Sequence, residues 1–255
     1  MCLIAWNWQP GSATPLLLLS NRDEFYTRAA LPVHWWETPD TEPRVLAGKD
    51  LQGGGTWLGI SRSGRLAALT NFRSMEPQRT DAPSRGELVA GFLHSDTPAD
   101  EFLEDLAHKA NDYNPFNLLV CDGRQLLGLH SRTAHIQTLP VGLGGVSNAE
   151  FHTPWPKLTQ LRQRLQAQIE QAQTTAEHML PLLHDRTVAD VEQLPQTGVP
   201  LELERALSAT FIATPGYGTR ACSVIALHQD HAEFTEQSFG PQGLNGQKQH
   251  TFEFG

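Results

Sequence analysis

Met1-Cys2-Leu3-Ile4-Ala5-Trp6-Asn7-Trp8 and, after a short interruption, Leu16-Leu17-Leu18-Leu19-Ser20-Asn21-Arg22-Asp23-Glu24 are the stretches whose reading decides the fold. The two apolar runs flank Gln9-Pro10-Gly11-Ser12, a turn sequence, so residues 2–8 and 15–19 are predicted to pair as a hairpin. The second run reads as a buried strand, and the four polar residues that follow need partners at the sheet's end or in a cleft. Cys2 adds chemistry to this beginning. Cysteine is small enough for an aminopeptidase to remove Met1, which would leave a thiol and a free α-amine on one residue. Their unperturbed pKa values are about 8.5 and about 7.7–8.0, so a nucleophile and a base would sit together near neutrality. Taken alone, a second-position cysteine carries no such meaning. The sequence leaves open whether Met1 is removed.

The totals exclude several classes. A chain of 255 residues can bury roughly 70–75% of its unfolded surface and needs no staples. The net charge of −9 offers no basic face to phosphates, which argues against a nucleic-acid partner. Three cysteines, Cys2, Cys121 and Cys222, show no CxxC spacing, so a disulfide framework is not expected and the natural compartment is a reducing cytoplasm. The apolar run Leu16–Leu19 is far shorter than the roughly 20 residues of a membrane span. No basic segment precedes it, so it is not a signal peptide. The eleven histidines are scattered without HExxH or clustered Cys/His spacing, so neither a metal centre nor a cofactor is expected.

The rest of the chain alternates in blocks. Leu31-Pro32-Val33-His34-Trp35-Trp36 reads as a proline-punctuated loop over apolar surface. Gly53-Gly54-Gly55 lacks the Lys-Ser/Thr of a phosphate loop and reads as a tight lead into a strand over 56–61, turned at Ser63-Gly64 into 65–71. Ser84-Arg85-Gly86-Glu87 has the pattern of a capping box ahead of Leu88, Val89, Phe92 and Leu93. Thr97-Pro98-Ala99-Asp100 opens a second helix, with proline expected at its first position. Strands follow over 117–121, 125–129 and 134–138, then a glycine-rich segment ending in Ser147-Asn148. Pro154-Trp155-Pro156-Lys157 opens a long amphipathic helix, and 175–207 reads as broken helix. Strands return over 211–214, 219–227, 233–238 and 247–254. This order predicts an α+β protein, with helices outside two antiparallel sheets, and one domain over 1–255.

These residues also resemble a known family. Asn21-Arg22-Asp23-Glu24 is the tetrapeptide of the NRDE family, whose eukaryotic members are the transport-and-Golgi-organisation 2 proteins. The resemblance extends through Met1-Cys2, Gly54-Gly55-Thr56-Trp57-Leu58-Gly59, Thr70-Asn71, Ser84-Arg85-Gly86, Tyr113-Asn114-Pro115-Phe116-Asn117, Ser147-Asn148, Pro154-Trp155-Pro156-Lys157 and Tyr217-Gly218-Thr219-Arg220, in the same order. That family is similar to the N-terminal-nucleophile hydrolases, four-layer α-β-β-α proteins that include the choloylglycine hydrolases and penicillin V acylases. The resemblance implies that Cys2 is the nucleophile of an amidohydrolase cleaving a linear, non-peptide C–N amide of a small molecule. By the same resemblance, Asp23 orients the α-amine, Arg220 or Arg22 places positive charge near the sulfur, and Asn71 or Asn148 donates to the oxyanion, with Asn21 and Trp57 in support. In one place the pattern departs: Ser20 stands where the acylases carry an arginine, and Arg22 fills the variable slot.

Each residue has a plainer reading too. Arg22 and Asp23 could simply pair, Asn71 and Asn148 could be turn residues, and Arg220 could lie on a solvated strand face. Trp6, Trp8, Trp35, Trp36 and Trp57 could line a cleft or fill the core. A second functional class therefore stands beside the first. It is a non-catalytic carrier of haem or a lipid-like metabolite, an idea that the resemblance alone introduces. The oligomeric state is not legible.

Overall fold

The computed structural model describes residues 2–37 and 42–255. In chain order the strands are β1 (Cys2–Trp8), β2 (Leu16–Phe25), β3 (Ala30–Trp35), β4 (Val45–Asp50), β5 (Leu58–Ser61), β6 (Leu66–Asn71) and β7 (Phe116–Cys121). They continue as β8 (Leu126–His130), β9 (His135–Thr138), β10 (Gly142–Val146), β11 (Ala213–Thr214), β12 (Tyr217–Leu227), β13 (His231–Gly240) and β14 (Gly243–Glu253). The helices are α1 (Gly86–His94), α2 (Ala99–Ala107), α3 (Pro156–Glu170), α4 (Ala176–Met179) and α5 (Leu201–Ala206).

The strands form two antiparallel sheets. One runs β10-β1-β2-β12-β13-β14, with β11 added to β12, and the other runs β3 to β9 in sequence. Strand alternation divides the apolar residues between layers. Ile4, Trp6, Trp8, Leu16, Leu18, Ala221 and Ile225 point between the sheets and meet Leu46, Ile60, Leu66 and Leu119 from the other side. Leu3, Ala5, Leu17, Leu19, Cys222 and Val224 point outward under Leu158, Leu161 and Leu165 of α3. Val45, Ala67, Leu118 and Val120 point outward from the second sheet under α1 and α2. The result is the four-layer α-β-β-α sandwich that the sequence predicts. β1 and β2 read as unbroken apolar runs because both of their faces are covered, so neither shows a polar alternation.

Two local predictions fail for identifiable reasons. Residues 31–36 are not a covering loop, since Ala30–Trp35 is strand β3. A register shift between Leu31 and His34 absorbs Pro32, and β3 is a sheet edge, where a residue without N–H is tolerated. The capping box does not form either. No side chain caps α1, and the Glu87 carboxylate instead accepts the Tyr113 hydroxyl at 2.6 Å. The glycine-rich segment before Asn148 is edge strand β10, and its glycines make room for bulk. A Cβ on Gly144 would fall 2.2 Å from the Trp6 indole.

Candidate functional site

The site forms where β1 begins. Cys2 is paired directly across the ladder with Arg22, so the two side chains leave the same face of the sheet. Cys2, Arg22, Asp23, Trp57 and Asn71 all line one cleft of about 410 Å³, together with Arg85. The expected Cys2–Asp23–Asn71 grouping, with Arg22 and Trp57, therefore comes together.

The wall opposite the sheet is built by the three-glycine segment. Thr56 N–H donates to the Gly86 carbonyl. A Cβ on Gly55 would fall 2.3 Å from the Gly86 carbonyl carbon, so the contact needs glycine at this position. This contact brings the start of α1, and Arg85 with it, against the cleft.

Arg22 is only 5% exposed. Its guanidinium lies 4.3 Å above the Trp57 ring, and its Nη2 donates to Asp50 Oδ2 at 2.8 Å. The same oxygen accepts Arg28 Nε at 2.6 Å, while Asp50 Oδ1 accepts the N–H groups of Gln52 and Gly53. Burial opposes the charged form of Asp50, but the Arg28 hydrogen bond and the Gly53 N–H outweigh it and hold the carboxyl below its ordinary value. Asp50 thus fixes both arginines, and Arg22 cannot swing away from Cys2 without breaking a buried ion pair.

Asp23 is 1% exposed. Its Oδ1 accepts Thr219 Oγ1 at 2.7 Å, and its Oδ2 lies 4.0 Å from Lys157 Nζ. Burial pushes the Cys2 thiol up, and the Asp23 charge adds to this, while Arg22 works in the opposite direction. Arg85 responds to the same sulfur. Burial lowers its guanidinium pKa, and the charge of Cys2 opposes that shift. The other thiols lie in the core. Burial raises Cys121 to about 12 and Cys222 well above its ordinary value, which leaves both inert at neutral pH.

Three further expected residues lie apart from the cleft lining. Asn21 points to the helical side, where its Nδ2 donates to the carbonyls of Leu183 and Thr210 at 2.9 and 2.8 Å. Asn148 sits behind Asn71, donating to its backbone carbonyl at 2.9 Å. Arg220 is the extra residue of a bulge, because Thr219 faces Asp23 and Ala221 faces Arg22. Bulges re-aim side chains. This one sends the Arg220 guanidinium to the carbonyls of Phe25, Arg28 and Phe239, at 2.9, 2.9 and 3.0 Å. It pins the chain after β2 and lines a neighbouring cavity that shares Arg22 and Trp57 with the cleft. Of the tryptophans, Trp6 and Trp8 fill the core, and Trp57 belongs to the same core cluster while also lining the cleft.

Asp50, Arg85 and Lys157 did not emerge from the sequence as site residues. Arg85 and Lys157 sat inside segments recognised for other reasons, a helix start and a helix lead-in. Asp50 carried no motif. As for metals, one group among the described residues, His228, His231 and Glu233, brings three donor atoms within 4.8 Å of one another. Its imidazoles stack at 4.2 Å and 10°, so their in-plane lone pairs run parallel instead of converging on one ion. No helix among the described residues is long and apolar enough to cross a membrane.

The two antiparallel sheets and their covering helices define an N-terminal-nucleophile-hydrolase-like fold. In agreement, the chain superposes on the Caenorhabditis elegans N-acylethanolamine-hydrolyzing acid amidase ortholog with a TM-score of 0.52, covering 88% of this chain and 92% of that one at 10% identity. By sequence, residues 1–241 match the family Transport and Golgi organisation 2, and the chain belongs to that family. It is 34% identical to the Homo sapiens Transport and Golgi organization protein 2 homolog, covering 100% of this chain and 99% of the relative. It is 29% identical to the Drosophila melanogaster Transport and Golgi organization protein 2, covering 91% and 89%.

Proposed function

We propose that the protein is an N-terminal cysteine amidohydrolase that cleaves a linear, non-peptide C–N amide of a small molecule, with Cys2 made the first residue by removal of Met1. The observation that carries this reading is the direct pairing of Cys2 with Arg22 in a polar cleft that also holds Asp23 and Asn71. The reaction class also agrees with the nematode neighbour, an amide-hydrolysing enzyme on the same fold.

The chemistry follows from the groups present. The Cys2 sulfur attacks the amide carbonyl carbon while its proton passes to the neutral α-amine. Asp23 orients that amine and stabilises it once protonated. The carbonyl oxygen becomes an oxyanion and takes a hydrogen bond from the Asn71 side chain, a contact worth roughly 2.7–4 kcal/mol where such donors have been removed. Collapse breaks the C–N bond, and the α-ammonium returns its proton to the leaving nitrogen. Water then attacks the thioester, the amine again taking and returning a proton, and the acid leaves with Cys2 restored. Arg22 and Arg85 favour the thiolate against the burial that disfavours it.

The test has two parts. The intact mass should be short by one methionine, and Cys2→Ala should fold with an unchanged circular dichroism spectrum while losing all amide turnover. A retained Met1, or turnover in Cys2→Ala, would sink the reading. A carrier of haem or a lipid-like metabolite is the second reading; the neighbouring cavity of about 410 Å³, which shares Arg22 and Trp57 with the cleft, offers Leu31, Pro32 and Phe239 beside the charged Arg220, Glu236 and Lys248. A carrier gives a stable complex and no product. Three thiols without a disulfide support a reducing cytoplasm as the compartment.

A further inference from the structure

Lys157 is the least expected side chain near the cleft. It lies in the first turn of α3 and is 1% exposed. Its Nζ has no hydrogen-bond partner. Three general costs meet here: a buried charge, an unsatisfied donor, and a cation at the positive end of a helix dipole. None of them helps the fold, and a methionine of similar length would fill the same space more cheaply.

Its surroundings point to Asp23. Around Nζ stand Asp23 on β2, Cys2 on β1, Arg73 just after β6 and Glu204 on α5. Arg73 and Glu204 are already engaged with each other through a buried salt bridge, and the Arg73 guanidinium also stacks on Trp155. Glu204 accepts Thr197 as well. Asp23 is thus the carboxylate that Lys157 faces, at 4.0 Å. The opposite oxygen of Asp23 is fixed by Thr219, and Tyr217 Oη donates to the Asp23 backbone carbonyl at 3.0 Å. Lys157 does not line the cleft, so it cannot touch a substrate there. It acts through Asp23.

We propose that Lys157 is a positioning residue of the cysteine centre: its ammonium, beneath the Asp23 carboxylate, holds that carboxylate in place toward the Cys2 amine and offsets its negative charge beside the sulfur. The proposal rests on the amidohydrolase reading. Its pH dependence falls in an accessible range, because burial lowers the Lys157 ammonium to about 8 even though Asp23 opposes the shift. Above that pH the lysine is neutral, and Asp23 loses the positive charge beside it.

The test needs no substrate. Cys2 of the full chain is alkylated with iodoacetamide from pH 6 to pH 10, and peptide mass separates it from the buried Cys121 and Cys222. Wild type is compared with Lys157→Met, Asp23→Asn and the double variant, each checked by circular dichroism. Lys157→Gln replaces the methionine variant if that chain does not fold. Lys157→Met should slow Cys2 alkylation at pH 7.5 at least tenfold and displace its pH profile upward, and in the Asp23→Asn background its effect should be much smaller. An unchanged pH profile, or losses that add in the double variant, would overturn the role of Lys157. A wild-type protein with a free N-terminal Cys2 that resists alkylation at every pH would instead sink the amidohydrolase reading.

Discussion

Glu236 shows what one residue can report. Its carboxyl is 1% exposed, with Oε1 accepting the Val33 N–H at 2.8 Å and Oε2 the Ser223 hydroxyl at 3.2 Å. Burial raises it to about 7, although both hydrogen bonds and Arg22 act in the other direction. A carboxyl raised in the fold contributes stability below its unfolded value, near 4.5, and that contribution is lost as pH rises through about 7. Glu236→Gln, which cannot ionise, should gain on the wild type between pH 5 and pH 8, by roughly 3 kcal/mol at most. Urea unfolding at the two pH values measures this, and a gap that does not change with pH would contradict it. At the same scale, Asn21 was expected in support of the cysteine and lies elsewhere. It shares the strand face of Leu17 and Leu19, which lies under the helices, so its side chain leaves the sheet away from Cys2. Arg220 was not legible, because its direction depends on a bulge set by the pairing of β2 with β12. Lys157 was hidden by its own motif. A lysine just after Pro-Trp-Pro reads as the solvated start of a helix until α3 is seen packed on the sheet.

At the scale of elements, local sequence located most strands and helices but misjudged how they begin and where they sit. The β1–β2 hairpin, the β7–β8 pair and α3 were readable because their apolar patterns exceed any local ambiguity. β3 was not, since a proline inside an aromatic run looks the same in a loop and in an edge strand. The start of α1 was misread because Ser84 and Glu87 fit a capping pattern, whereas the close approach of Gly55 to Gly86 sets the geometry there. β10 carries the sharpest consequence. Its Gly144 lies against Trp6, a fully buried ring in the layer between the sheets. Gly144→Ala should cost about 1–3 kcal/mol by overpacking, read as a lower urea midpoint. A midpoint equal to wild type would mean that Trp6 shifts without strain.

Across the whole molecule, the α+β sandwich was readable from the order of strand and helix blocks, while the way the layers share the site was not. The first sheet takes β1 and β2 from the start of the chain and β10 to β14 from its end, with the entire second sheet between them. Such interleaving leaves no segment that can unfold without uncovering the layer between the sheets. Calorimetry is therefore expected to give one transition, with calorimetric and van't Hoff enthalpies in agreement. Two separable transitions would mean that the one-domain expectation is wrong. The cleft is interleaved as well: Cys2 and Arg22 come from the first sheet, Asn71 and Asp50 from the second, and Trp57 from the residue just before β5.

The long gap between β2 and its partner β12 has a consequence for how the protein is made. Roughly 200 residues separate them, which is about 10–40 s of synthesis at the usual pace. For that interval the edge of β2 that β12 will occupy is unpaired, so the first sheet cannot close. The same interval is the window in which the chain's first residues are open to processing enzymes. Once the sheet closes, Cys2 is 7% exposed. On the amidohydrolase reading, removal of Met1 is therefore expected during translation, and intact mass of ribosome-bound and released chains would check it.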